Sequence, residues 1–290
     1  MTIKGKLIII GGAENRGESS LNNDQEFENF IENGILARIV SESKHGKNSK
    51  IEIVTTASGV PEEVGADYVK AFRKLDTTNC KVMNIGTREE AAAAAIVKRI
   101  QQCDVLFFTG GDQLRLTSIL GGTPFYDAML EKLRSDSKFI YAGTSAGAAA
   151  ASESMIESGK GTEAFLKGEV TTTTGFGLIE NVVFDTHFIQ RGRIGRLFQL
   201  IASNPKILGI GLEENAGLLI TKNNTHMEAI GPGPAVIVDG RTIRNTNLLE
   251  IRDSAPISID RLTLHVMSKT DVFDLHERQL TLITSEEFKL

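Results

Sequence analysis

Ser145 lies at the centre of Gly143-Thr144-Ser145-Ala146-Gly147, directly after the apolar run Phe139-Ile140-Tyr141-Ala142. A buried strand, a tight corner and a helix of small residues form a nucleophile elbow of the G-x-S-x-G kind. The corner pushes the hydroxyl out of the sheet, beside helix N–H groups that favour a developing negative charge. The chemistry implied is covalent acyl transfer. A serine hydroxyl is a weak nucleophile and needs a base within hydrogen-bond reach. Of five histidines, His187 stands apart, because Asp185-Thr186-His187-Phe188 follows the buried run Asn181–Phe184 at the end of a strand where sites form in parallel sheets. The base needs a carboxylate to fix its tautomer. Glu213 and Glu214 follow the strand Ile207–Leu212, and Asp185, two residues before His187, competes with them. An oxyanion hole could draw on the N–H of Ala146 and on that of Gly111 in Thr109-Gly110-Gly111-Asp112-Gln113. Taken singly, each residue has a plainer reading. The serine could be a helix N-cap, the histidine a structural one, the glutamates a helix-start pair, and Arg191, Arg193 and Arg196 a solvated face.

These residues must be carried by regular elements. Leu7–Ile10, Ile51–Thr55, Lys81–Ile85, Asp104–Thr109 and the run before Ser145 read as strands, apolar throughout, as expected when both faces of a sheet are covered. Between them lie helix signals: residues 24 to 42, a helix opened by Pro61 with Glu62 and Glu63, the alanine-rich Arg88–Gln102, and a helical link containing Pro124. Strand and helix in alternation predict an α/β fold with a parallel sheet between helices. Val170–Thr174 suggests a further strand, and Arg191–Ala202 a basic amphipathic helix. From Gly217 onward the turn residues of Asn223-Asn224, Gly231-Pro232-Gly233-Pro234 and Asp239-Gly240 predict antiparallel hairpins. The expectation is a single domain over 1–290, with a parallel βα core of about 4–215 and a hairpin extension of about 216–275.

Composition excludes several classes. A net charge of −5 with scattered basic residues argues against nucleic-acid binding. The N-terminal apolar run of four residues is too short for a signal-peptide core, and no run approaches a membrane span, so a cytoplasmic protein without membrane contact is expected. Cys80 and Cys103 read as buried free thiols, and no CxxC or CxxH spacing supports a metal. Gly11-Gly12-Ala13-Glu14-Asn15-Arg16-Gly17 lacks the G-x-G-x-x-G spacing of a dinucleotide loop, so no cofactor is expected.

The order Ser145, His187, Glu214 differs from the serine, acid, histidine order of α/β-hydrolases. Together, Gly110-Gly111-Asp112-Gln113, the elbow, Asp185-Thr186-His187-Phe188 followed by Arg191, Arg193 and Arg196, and Gly211-Leu212-Glu213-Glu214-Asn215-Ala216 resemble the cyanophycinases and their relatives in the S51 family of serine peptidases. The resemblance runs along nearly the whole chain, and its D-x-H-F-x-x-R-x-R-x-x-R-L run favours cyanophycinases over the α-aspartyl dipeptidases. It implies a Ser145–His187–Glu214 triad, a flavodoxin-like sheet akin to class I glutamine amidotransferase domains, and a homodimer. It also implies a substrate: cyanophycin, a polyaspartate carrying arginine on its β-carboxyls, released as β-Asp-Arg dipeptides. Asn215 departs from the small acidic residue expected there, which touches the choice between Glu213 and Glu214.

With that substrate, Arg191, Arg193 and Arg196 suit carboxylates through forked hydrogen bonds. Asp112, Asp185 or Glu213 suit the guanidinium, Gln113 the scissile unit, and Thr171–Gly177 a wall of the cleft. Two other readings remain. One is an isoaspartyl or α-aspartyl dipeptidase, against which the arginines argue. The other is a non-catalytic amidotransferase-like binding protein, against which the intact Ser, His and Glu set argues. A glutamine amidotransferase would need a cysteine on an elbow, and neither cysteine is on one.

Overall fold

The computed structural model describes residues 2–17, 24–159, 161 and 163–283. The chain opens with β1 (Lys6–Ile10), followed by α1 (Asp24–Asn33) and α2 (Ile35–Glu42). The single helix expected over residues 24–42 is interrupted at Gly34, whose backbone is extended at ψ 150. Next come β2 (Ile51–Val54), α3 (Pro61–Lys74) and β3 (Cys80–Met83). Helix α3 has proline in its first turn, Glu62 and Glu63 at its positive end and Arg73 and Lys74 at its negative end.

The alanine-rich stretch is also two helices, α4 (Arg88–Ala92) and α5 (Ala94–Gln102), separated by extended Ala93 at ψ 131. Propensity favours helix here but does not fix its direction. The Arg88 guanidinium donates to the carbonyls of Ser118 and Gly121, which ties α4 to a neighbour that α5 does not follow. The chain continues through β4 (Val105–Phe108), α6 (Gln113–Leu120), α7 (Pro124–Ser135), β5 (Ile140–Thr144) and α8 (Ala146–Ala150). After these come the strands β6 (Ser154–Ser158), β7 (Thr171–Thr174) and β8 (Val182–Thr186), then α9 (Ile194–Ser203) and β9 (Leu208–Leu212). The C-terminal third holds β10 (Gly217–Thr221), β11 (His226–Ile230), β12 (Ala235–Asp239), β13 (Asn245–Thr246), β14 (Ile259–Asp260), β15 (Thr263–Met267), β16 (Val272–Asp274) and β17 (Gln279–Thr281).

The main sheet has nine strands in the order β17-β16-β11-β10-β1-β5-β4-β2-β3. From β1 to β3 all pairings are parallel, as the βα alternation predicts. Strand β1 is the hinge of the sheet: it pairs parallel to β5 on one side and antiparallel to β10 on the other. Its residues alternate between two cores. Ile8 and Ile10 meet Phe30, Ile39, Tyr68 and Phe72 from α1, α2 and α3. Leu7 and Ile9 meet the opposite core, which holds Phe108, Phe125 and Met129. Burying each such side chain contributes roughly 1.5–3 kcal/mol.

One expectation about the parallel core is corrected. Residues 181–184 and 207–212 form strands, but these do not join the main sheet. Instead β8 and β9 pair in parallel and, with antiparallel β12 and β15, form a second four-stranded sheet in the order β15-β12-β9-β8. The reason is that β10 already occupies the edge of β1 that they would need. One side of the second sheet packs Phe184, Ile210 and Ile237 into the core shared with α6, α7 and α8. Its other side packs Val183 and Val238 with Phe188, Leu197 and Ile201.

The two sheets are pinned at Asp239, at the end of β12. Its carboxylate accepts from the Arg241 backbone and guanidinium at 3.0 and 2.8 Å, and from Arg278, between β16 and β17, at 2.7 Å. Burial alone would raise the Asp239 pKa, but these donors outweigh it and hold the group below the ordinary 3.8. Because the folded value is the lower one, the resulting stability is present above the ordinary aspartate range and is lost as pH falls through Asp239's own value. We expect Asp239→Asn to cost about 1–3 kcal/mol near pH 7 and the gap to the wild type to narrow as pH falls below the ordinary aspartate range, as read by urea unfolding.

Candidate active site

The ends of β1, β5, β8 and β9 meet at one point. Strand β5 delivers Ser145 on a corner with φ 51 and ψ −105, a strained conformation for a residue with a side chain. The corner is tight because glycines permit it. A Cβ on Gly143 would lie 2.4 Å from the Gly147 carbonyl oxygen, and one on Gly147 would lie 2.7 Å from Phe108. Strand β8 ends at His187, also at positive φ (49), and the next residue, Phe188, is a buried plug seated on Gly211 of β9. Strand β9 is followed directly by Glu213 and Glu214.

Ser145 Oγ lies 3.1 Å from His187 Nε2, and His187 Nδ1 lies 2.6 Å from Glu214 Oε1. The two glutamates therefore do different things. Glu214 faces the ring, whereas Glu213 Oε2 accepts the N–H groups of Ile189 and Gln190 at 2.5 and 3.1 Å and clamps the loop that follows the histidine. This geometry allows proton transfer from Ser145 to His187, with Glu214 fixing the Nδ1–H tautomer.

Three successive carbonyls of the β1 end hold the three residues in register. Ile10 accepts from the Ser145 N–H at 3.0 Å, Gly11 from His187 at 3.0 Å, and Gly12 from Asn215 at 2.8 Å. Gly12 has φ 107, and a Cβ there would lie 2.4 Å from His187 Cε1. The stretch that mimics a dinucleotide loop is thus a template for the site. Asn215, in the left-handed region at φ 54, also accepts the Asn15 N–H with its Oδ1 at 3.1 Å, an arrangement that suits asparagine. Glu14, buried on the same template, accepts from the Thr144 hydroxyl at 2.6 Å and from the Tyr68 phenol. Burial, with the Glu14 charge beside it, pushes the Tyr68 phenol well above its usual range.

A cleft of about 270 Å³ opens on Ser145. Gly111 and Ala146 both line it, and among the described residues neither N–H has a protein acceptor, as an oxyanion hole requires. The three arginines line it too, but they are not equivalent. Arg196 donates to Asp185 Oδ1 at 3.0 Å, and its Nε lies 3.0 Å from Oδ2 without pointing along that line. Arg193 donates to Asp185 Oδ1 at 3.4 Å and to the Thr186 carbonyl at 2.8 Å. Of the three arginines, Arg191 is the exposed one with no side-chain partner among the described residues.

Burial pushes the Asp185 carboxyl up, and Arg196 and Arg193 pull it part of the way back. Its two partners already occupy Asp185, so it neither orients His187 nor stands free for a guanidinium, contrary to two roles its position suggested. Asp112 is exposed but does not line the cleft: it caps α6, accepting from Leu114 and Arg115 N–H groups at 2.8 and 3.3 Å. Gln113 lines the cleft and donates to the Ile156 carbonyl at 3.0 Å. The cleft wall is β6, through Ile156 and Glu157, and the expected Thr171–Gly177 segment contributes no lining residue. Nothing in the sequence alone marks Glu157, Thr186 or Glu14 as site residues, and the paired glycines after an apolar strand are the signal for the template role of Gly12.

Both cysteines are buried free thiols, and burial pushes each up to about 12, so neither competes as a nucleophile. Among the described residues no cluster suits a metal, and no helix is long and apolar enough to cross a membrane.

The model of peptidase family S51 matches residues 7–228. The chain belongs to peptidase family S51. It is a serine-type peptidase. It is 30% identical over 275 residues to a cyanophycinase of Nostoc sp., covering 95% of this chain and 87% of that one. It is 32% identical over 280 residues to a cyanophycinase of Synechococcus elongatus, covering 96% and 81%. A crystal structure of a peptidase from an acI-B1 Actinobacterium shares the fold at a TM-score of 0.59 and 20% identity, over 92% of this chain and 97% of that one.

Two substitutions test this S51 site. Gly12→Ala should displace the His187 ring and cost at least about 100-fold in kcat, with the fold retained by circular dichroism. Ser145→Gly should be more stable than Ser145→Ala in thermal unfolding by about 1 kcal/mol, because relief of 1–3 kcal/mol of backbone strain outweighs the 0.5–1 kcal/mol that glycine costs.

Proposed function

We propose that the protein is a cyanophycin-degrading serine exopeptidase that works through an acyl-enzyme on Ser145. The observation that carries the reading is the cleft itself: the Ser145 hydroxyl shares it with Arg191, Arg193 and Arg196. A polyaspartate decorated with arginine presents a free α-carboxylate on every unit, and Arg191 is the guanidinium left to receive one. Asp185 holds Arg193 and Arg196 as a cationic floor beneath it. The cyanophycinases among the relatives support the same substrate.

In this reading Ser145 Oγ attacks the scissile carbonyl carbon while His187 Nε2 takes its proton. The carbonyl oxygen becomes an oxyanion held by the Gly111 and Ala146 N–H groups. The C–N bond then breaks, and His187 returns the proton to the departing amine of a β-Asp-Arg unit. Water, deprotonated by His187, attacks the ester and frees Ser145. Glu214 steadies the imidazolium throughout. A cytoplasmic homodimer belongs to the same reading.

Incubation with insoluble cyanophycin should release soluble β-Asp-Arg, and Ser145→Ala should lower the rate by at least about 10³-fold without unfolding the protein. Turnover of Asp-X dipeptides with no release from the polymer would overturn the substrate. Full activity in Ser145→Ala would overturn the nucleophile.

A further inference from the structure

The carboxylates around Ser145 are almost all committed. Glu214 is on His187, Glu213 on two backbone N–H groups, Asp112 on the start of α6, and Asp185 on Arg193 and Arg196. Glu157 is different. It lines the same cleft, is exposed, and makes no hydrogen bond or ion pair with any described residue. Its backbone is nevertheless held firmly. One residue before it, the Ile156 carbonyl accepts the Gln113 amide at 3.0 Å. Two residues after it, the Gly159 carbonyl accepts the Arg196 guanidinium at 3.3 Å. Both tethers come from residues that line the cleft, so the backbone that carries Glu157 is held at the rim of the cavity that also holds the three arginines.

We infer that Glu157 is the specificity-determining residue that receives the guanidinium of the substrate's arginine. The inference rests on the arginyl-aspartyl substrate proposed above. Each unit of that substrate ends in a carboxylate and a guanidinium on the same residue. A site for it needs an uncommitted cation and an uncommitted anion within one cavity. Arg191 and Glu157 are that pair among the lining residues. A carboxylate also ranks arginine above a neutral isostere, because the forked charge-assisted hydrogen bond is lost when the guanidinium becomes a urea.

The test compares oligomers of β-Asp-Arg with oligomers carrying citrulline in place of arginine, using the full chain. The wild type should prefer arginine. Glu157→Gln should lower kcat/KM on the arginine oligomer by about 5–30-fold, mainly through KM, and bring the arginine-to-citrulline ratio close to one. Glu157→Asp, which keeps the charge, should recover part of that preference, and thermal unfolding verifies that both variants fold. An unchanged ratio in Glu157→Gln, with an active wild type, overturns the role of Glu157. A wild type that cleaves neither oligomer overturns the substrate reading instead. Equal loss in Glu157→Gln and Glu157→Asp on both oligomers marks Glu157 as structural and also overturns the inference.

Discussion

Three backbone hydrogen bonds in sequence organise this molecule. The carbonyls of Ile10, Gly11 and Gly12 each accept one N–H, from Ser145, His187 and Asn215 in turn. Those donors arrive from different strands and from both sheets. Side-chain contacts such as Ser145–His187 and His187–Glu214 are directional but carried on rotatable bonds; the backbone bonds set where those side chains start. The template must approach the imidazole closely, so its second glycine has no room for a Cβ. Buried backbone groups need partners, and here the groups at the end of β1 find theirs in the reacting loops.

A second principle is the allocation of charge. The cleft is dense in ionic residues, yet most are spent on the protein itself. Asp185 is nearly fully buried and survives there because two guanidinium groups share it. That pairing spreads positive charge under the cleft and commits Asp185 to the protein's own guanidinium groups. Glu213 and Asp112 stiffen loops by capping N–H groups. Only side chains left over from this internal pairing can face a ligand, which makes a census of partners more telling than a census of residue types.

Much of the site could be read from the chain. The glycines around Ser145 announce a corner, and the position of His187 after an apolar strand separates it from the other histidines. Spacing alone does not separate Glu213 from Glu214, because adjacent residues differ only in which side of the backbone they face, and the choice of Glu214 comes from the family resemblance. Asp112 and Asp185 were assigned to the ligand since sequence shows charge but not who neutralises it. The parallel strands β1, β4 and β5 are legible through their apolar runs, and β2 and β3 each carry one charged residue, Glu52 and Lys81. The departure of β8 and β9 into a second sheet was not, since a buried strand has the same pattern in either sheet. The breaks at Gly34 and Ala93 were missed because helix propensity reports local preference, and Arg88 anchors α4 through a distant pair of carbonyls.

The position of β1 has a consequence for the order of assembly. This strand precedes every other strand of both sheets in the chain, yet one neighbour is β5 and the other is β10, so Ile10 waits for both Thr144 and Gly217. Contacts so far apart in the chain are slow to form. The serine corner, the histidine and the glutamate therefore come together only when most of the polypeptide exists and both sheets have closed. A chain that has formed only its first parallel strands still lacks the histidine and glutamate that face Ser145.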